Sequence, residues 1–157
     1  MCGIFGVFGN STFSGNQQFS LHHRGPDSHG LWTSPDGHCQ LGHTRLAIQD
    51  LSEAGNQPIT SHCGRFTLVY NGEIYNHLSL RKSLRFHEWR GSSDSETLVE
   101  GLAERGPLFL LELRGMFSFA AYDSHKQQML LARDRLGIKP LYTLSVSSSI
   151  YFSSERR

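Results

Sequence analysis

An α+β fold, with helices packed on antiparallel sheets, is what this sequence predicts. Short apolar stretches with period-two alternation are joined by brief Gly- or Pro-bearing turns toward both ends of the chain, and the helical periodicities are gathered in the middle. No strand-helix-strand alternation of the kind that builds a parallel sheet is present. The 157 residues make the size of one domain, large enough to bury roughly 68–70% of the surface that the unfolded chain exposes.

The elements follow in order. Cys2–Phe8 is apolar and interrupted by Gly3 and Gly6, which suits a buried strand whose backbone is approached closely by a neighbour. Residues 10–22 are polar and weakly periodic, a loop with one helical turn around Gln17–Leu21. His23-Arg24-Gly25-Pro26-Asp27 is turn chemistry leading to a strand at Gly30–Thr33, and Pro35-Asp36-Gly37 turns into a strand at Cys39–Ile48. Leu51–Pro58 is loop. Arg65–Asn71 alternates and is expected to end at Asn71-Gly72. Helices are expected over residues 76–85, over Asp94–Glu104, where Ser93 and Glu96 have capping-box spacing, and from Pro107 to Leu113, stopped by Gly115. Two hairpins close the chain, Met116–Tyr122 with Gln128–Arg133, then Leu141–Val146 with Ile150–Ser153.

Composition removes several functions. Lys+Arg number 15 against Asp+Glu 14, and the basic residues are scattered, which argues against nucleic acid and anionic membranes as partners. No apolar run reaches the length of a membrane span, and the apolar start lacks a basic leader region. Three cysteines without CxxC spacing fit a reducing compartment, so a cytoplasmic protein is expected. The nine histidines show no zinc-ligand spacing, and neither a metal nor an organic cofactor is expected.

Some residues suggest chemistry. Aminopeptidases clip Met1 when a small residue follows it, and Cys2 would then carry a thiol and a free α-amine, a nucleophile and a base on one residue. The plain alternative is a small buried hydrophobe opening a strand. Asn71-Gly72 could offer two adjacent oxyanion donors or simply a tight hairpin turn. Arg45, inside an apolar strand, needs a partner, and a carboxylate from a substrate or from the protein is its natural mate. Asp94 could bind an amine or only favour a helix dipole. Arg133-Asp134-Arg135 either brace the turn at Gly137 as ion pairs or belong to a docking face, and Phe117, Phe119 and Tyr122 read as strand core.

The order of motifs resembles one family, the class II or N-terminal-nucleophile (Ntn) glutamine amidotransferase domain, in its asparagine synthetase-like branch. The resemblance lies in MCGIFGVFG at 1–9, HRGPDSHG at 23–30, LGHTRLAIQDLSEAGNQPI at 41–59, LVYNGEIYNH at 68–77, WRGSSDSETL at 89–98, GMFSFAAYD at 115–123 and LARDRLGIKPLY at 131–142. It implies an Ntn-hydrolase four-layer sandwich, two antiparallel sheets between helical layers, with 1–157 as a single glutaminase domain. It further implies Cys2 as nucleophile, Asn71 and Gly72 as the oxyanion hole, Arg45 on the glutamine α-carboxylate and Asp94 on its α-amino group. Glu73 would line the same pocket, while Ile48 and Gln49 would contribute mostly backbone. The implied activity is hydrolysis of glutamine to glutamate and ammonia without a cofactor. Because no ATP-binding loop follows, the ammonia would pass to a separate ATP-dependent synthetase. The stretches between Gly9 and His23 and between Leu80 and Trp89 are shorter than the family pattern, which admits a non-catalytic glutamine-binding or scaffold subunit, or a hydrolase of another amide, as alternatives.

Overall fold

The structure, a computed structural model, describes residues 1–13 and 20–156. Two antiparallel sheets carry it. β1 (Gly3–Phe8), β2 (Ser28–Thr33) and β3 (Cys39–Arg45) join the C-terminal hairpin β8 (Tyr142–Val146) and β9 (Ser149–Ser153) in a five-stranded sheet ordered β2-β3-β1-β9-β8. β4 (Ile59–Thr60), β5 (Phe66–Ile74), β6 (Gly115–Asp123) and β7 (Gln128–Arg133) form a four-stranded sheet in sequence order. The last two strands of the chain therefore return to pair with the first, placing both ends of the described chain in one sheet.

Period-two alternation assigns each strand two faces. Ile4, Leu41 and Cys39 from one sheet meet Val69, Ala120 and Tyr122 from the other, which makes the core between the sheets. On its opposite face, the four-stranded sheet packs Phe66, Leu68, Tyr70, Phe117 and Phe119 against the helices. These are α1 (His77–Ser83) and α2 (Asp94–Arg105), followed by a 3-10 helix at Gly106–Glu112. Ser93 caps α2 through its hydroxyl, which accepts the Glu96 N–H at 3.4 Å. The Glu96 carboxylate does not return the bond, and instead receives the Arg90 and Gly91 N–H groups at 2.8 and 3.1 Å. Two sheets and one helical layer are thus in view among the described residues; the helical turn expected at Gln17–Leu21 falls mostly outside them.

Three elements differ from expectation. β5 does not stop at Asn71-Gly72 but continues to Ile74, because β6 pairs with it throughout, down to Ile74 opposite Gly115. Gly115 permits this: a Cβ there would lie 2.0 Å from the Glu73 carbonyl oxygen. Asn71-Gly72 is accordingly strand interior, not a hairpin turn. β3 ends at Arg45 rather than Ile48, since its neighbour β1 begins at Gly3, opposite Thr44, and offers no ladder beyond it. The segment opened by Pro107 winds as a 3-10 helix, packed through Phe109 against Gly101 of α2, where any Cβ would strike the ring at 2.0 Å.

The short Leu80–Trp89 stretch is well filled. Leu84 is buried, Phe86 and Trp89 meet edge to face at 4.9 Å, and the Arg81 guanidinium lies 4.1 Å over the Trp89 ring.

Candidate active site

β1 and β3 run side by side, so one step beyond Gly3 opposite Thr44 brings Cys2 level with Arg45 at the end of the five-stranded sheet. The Cys2 thiol is partly exposed; its Sγ accepts the Leu46 N–H at 3.4 Å and faces the Leu46 carbonyl at 3.6 Å. Arg24 donates Nε to the Cys2 carbonyl at 3.1 Å and Nη1 to Glu155 at 3.1 Å, which ties the first residues to the last strand. A cavity of about 180 Å³ opens here between the sheets. Cys2, Arg45, Ile48, Gln49, Asn71, Gly72, Glu73 and Asp94 all line it, although they come from four separate stretches of sequence.

Arg45 is buried, and its partners within the protein are carbonyl oxygens, not the Asp or Glu that is one of the two mates expected of it. Nη1 donates to the Ser52 carbonyl at 3.0 Å and to the Asn56 side-chain oxygen at 2.7 Å, and Nη2 to the Asp50 carbonyl. The reason is the turn at 50–56, whose Gly55 lets the guanidinium sit against its backbone. A guanidinium has five N–H donors, so three such bonds leave Nε and one on Nη2, a fork able to grip a further carboxylate. Asp50 anchors that turn to the start of α2 by accepting the Ser92 N–H at 2.8 Å, and bonds from Ser52 and Ser92 lower its pKa to about 2.

Across the cavity, β5 presents alternating donors. Asn71 is buried with its side-chain nitrogen unpartnered. On one edge of the strand the Tyr70 N–H goes to Gln57 Oε1 at 2.6 Å and the Ile74 N–H to Asp94 Oδ2 at 2.8 Å. Gly72 N–H lies between them on that edge by the period of the strand. β4 pairs only as far as Leu68, so no strand covers it. Gly72 can have no side chain, because a Cβ would lie 2.4 Å from the Met116 carbonyl oxygen. Two adjacent donors therefore converge without protein partners, the arrangement that stabilises a developing oxyanion.

Asp94 opens α2 and is buried. Its Oδ2 also accepts the Tyr70 hydroxyl at 2.6 Å. Burial raises its pKa, and the bonds from Tyr70 and Ile74 offset this only in part. Oδ1 is engaged by neither donor, so an ammonium ligand would both satisfy it and relieve the desolvation. Ile48 and Gln49 stand exposed at the rim, and Glu73 is half-buried on the floor. His43, buried on β3 in the same cavity, has neither ring nitrogen hydrogen-bonded; burial, then the Arg45 charge, takes its pKa down to about 3, so it is neutral.

Reasoning from sequence missed Arg24, His43, Tyr70 and Lys139. Each lies inside a motif quoted above, but nothing in a linear string tells which motif residues share a cavity. The Arg133-Asp134-Arg135 cluster contains no ion pair among the described residues; Asp134 accepts four backbone N–H groups and Arg133 binds carbonyls. No described helix is long and apolar enough to cross a membrane.

The family described as glutamine amidotransferase domain matches residues 1–157. Asparagine synthetase [glutamine-hydrolyzing] 3 of Arabidopsis thaliana is 39% identical over 165 residues, covering 100% of this chain and 28% of that protein. Asparagine synthetase B [glutamine-hydrolyzing] of Escherichia coli is 39% identical over 166 residues, covering 100% of this chain and 29% of that protein. Amidase chry2 of Gibberella zeae is 43% identical over 123 residues, 78% of this chain and 18% of that protein. The chain thus spans less than a third of the length of these relatives. The glutamine phosphoribosylpyrophosphate amidotransferase of B. subtilis, solved with ADP and GMP, superposes with a TM-score of 0.80 at 22% identity, over 98% of this chain and 42% of that one. The fold is that of the Ntn-type amidotransferases, and the chain belongs to the glutamine amidotransferase domain family, on its asparagine synthetase-like branch.

Proposed function

We propose that residues 1–157 act as one glutaminase domain that hydrolyses glutamine to glutamate and ammonia through a thioester on Cys2. The observation that carries this reading is the convergence on one cavity of a thiol, a forked cation, two unpartnered oxyanion donors and a buried acid. Arg45 holds the α-carboxylate of glutamine and Asp94 its α-ammonium, with Glu73 beside them. The side-chain amide then lies against Cys2. The thiol proton passes to the α-amine of Cys2, and sulfur attacks the amide carbon. Asn71 Nδ2 and Gly72 N–H receive the oxyanion; the amine returns its proton to the departing nitrogen, and ammonia leaves. Water adds to the thioester and releases glutamate, restoring the thiol.

Cys2 nitrogen is an amide while Met1 is attached, so the base exists only after Met1 is removed. Ammonia protonates in water at neutral pH and loses its nucleophilicity, so the natural receiver is an ATP-dependent synthetase docked as another domain or chain. Three cysteines without CxxC spacing support a reducing compartment, the cytoplasm, as the protein's location.

The test is glutamate and ammonia release by chain whose mature N-terminus has been established by intact mass. Release that disappears in Cys2→Ala supports the proposal; glutamine binding without Cys2-dependent release, in chain lacking Met1 and with candidate synthetases present, would instead favour a glutamine-binding scaffold.

A further inference from the structure

Two cationic side chains line the cavity, Arg45 and Lys139, and only Arg45 has a task in the reaction above. Lys139 ends the segment after β7, and its backbone is anchored from two sides. The Asp134 carboxylate accepts the N–H groups of Lys139 at 3.0 Å, Ile138 at 2.9 Å, and Phe117 and Leu136 at 3.2 Å. Arg133 donates Nε to the Lys139 carbonyl at 2.6 Å and Nη2 to that of Gly137 at 2.5 Å. Gly137 turns the chain with φ of 65°. The side chain delivered by this mount is 7% exposed. No carboxylate among the described residues pairs with it; Nζ points at the Met1 sulfur, 3.3 Å away. A thioether is a weak acceptor, so a nearly buried ammonium is held against the N-terminal residue without a counter-ion.

We propose that Lys139 is a positioning residue for the N-terminal amine. Once Met1 is gone, its charge lies beside the Cys2 α-amine and keeps that amine uncharged near neutral pH, ready to take the thiol proton. This rests on the reading of Cys2 as the nucleophile. Of two neighbouring amines the weaker base yields its proton, and an α-amine titrates at about 7.7–8.0 against about 10.4 for lysine. The other charged and titratable groups facing the cavity are Arg45, Asp50, Glu73, Asp94, His43 and Tyr70, and against the Cys2 backbone lies Arg24, which donates to the Cys2 carbonyl at 3.1 Å and is paired with Glu155. Asp50 is held ionised by its hydrogen-bond donors, Asp94 accepts through Oδ2 and leaves Oδ1 open, the Arg45 charge is held in the 50–56 turn, and His43 is neutral. Tyr70 is held protonated, its pKa raised by burial and by the Asp94 charge. Asp50, Glu73 and Asp94 are thus the carboxylates that oppose Lys139, and all three stay in place in both Lys139 variants.

The experiment uses the mature chain without glutamine. The pH dependence of the Cys2 13Cα signal, read by NMR in chain carrying 13C-labelled cysteine, gives the midpoint of the amine in wild type, Lys139→Met and Lys139→Arg. Lys139→Met is expected to raise the midpoint by about one pH unit, and Lys139→Arg to keep it. The acid limb of kcat/KM for glutamine should move with it. An unchanged midpoint in Lys139→Met overturns the proposal, as does an equal displacement in Lys139→Arg. Loss of the folded circular-dichroism spectrum in Lys139→Met with recovery in Lys139→Arg also overturns it, because the charge would then serve the fold. The titration needs no turnover, so a wild type that fails to hydrolyse glutamine sinks the glutaminase reading and leaves the amine measurement readable.

Discussion

The five-stranded sheet contributes Cys2 and Arg45 from strand ends, whereas the four-stranded sheet contributes Asn71, Gly72 and Glu73 from the body of β5. At the strand ends, position depends on turns and single side chains: Leu46 and Arg24 for Cys2, the 50–56 turn for Arg45. In the strand body, a full ladder with β6 and the bonds to Gln57 and Asp94 hold the backbone. On the proposed reaction, the groups that would meet a trimmed N-terminus or a ligand carboxylate sit where the chain can adjust, and the groups that would meet an oxyanion sit where it cannot.

Substitutions break that contrast in graded ways. Cys2→Ala is expected to lower kcat at least about 10⁴-fold with an unchanged melting temperature, as measured by glutamate release and calorimetry, since only the reacting atom is lost. Asn71→Leu should cost roughly 10²- to 10³-fold in kcat. Its urea midpoint should stay level or rise, because the buried nitrogen it removes has no partner to lose. Gly72→Ala tests the ladder itself: a Cβ 2.4 Å from the Met116 oxygen should cost about 1–3 kcal/mol of stability by urea unfolding.

Asp94→Asn separates binding from stability. Burial raises the Asp94 pKa above its ordinary value of 3.8. Below that value the acid is protonated in both the folded and unfolded chain and costs nothing; as pH rises through the folded pKa, ionisation increasingly favours the unfolded chain. The variant should therefore match wild type near pH 3 and exceed it in stability at pH 7, while KM for glutamine rises about tenfold. His23→Ala, which removes a half-exposed bond to Glu155 at 2.8 Å, should change stability by less than about 1 kcal/mol.

Much of this was readable in one dimension. Short apolar runs, alternation at Arg65–Asn71 and the Gly- and Pro-bearing turns between them located eight of the nine strands, missing only the two-residue β4, because turn residues and apolar content are local properties of a sequence. The capping serine at Ser93 announced α2 for a similarly local reason. The end of β5 was misplaced because Asn-Gly is a turn signal only where no partner strand continues, and the partner here, β6, lies more than forty residues away. Arg45 was given a carboxylate, from a substrate or from the protein, because that is the generic mate of a buried guanidinium; within the protein the turn at 50–56 supplies carbonyls in place of an Asp or Glu, through a glycine contact invisible to spacing.

By itself, then, the sequence determined the α+β layout, the identity of the thiol and the motif residues around it, since propensity, alternation and chemical type are properties of residues. Only the tertiary structure decided that Asn71 is buried and unpartnered, that Asp94 leans on Tyr70, and that Lys139 reaches the N-terminus across 138 residues of chain. Those facts depend on which strands pair and how far they run, and pairing across such separations is set by the packing of the whole chain rather than by any stretch of it.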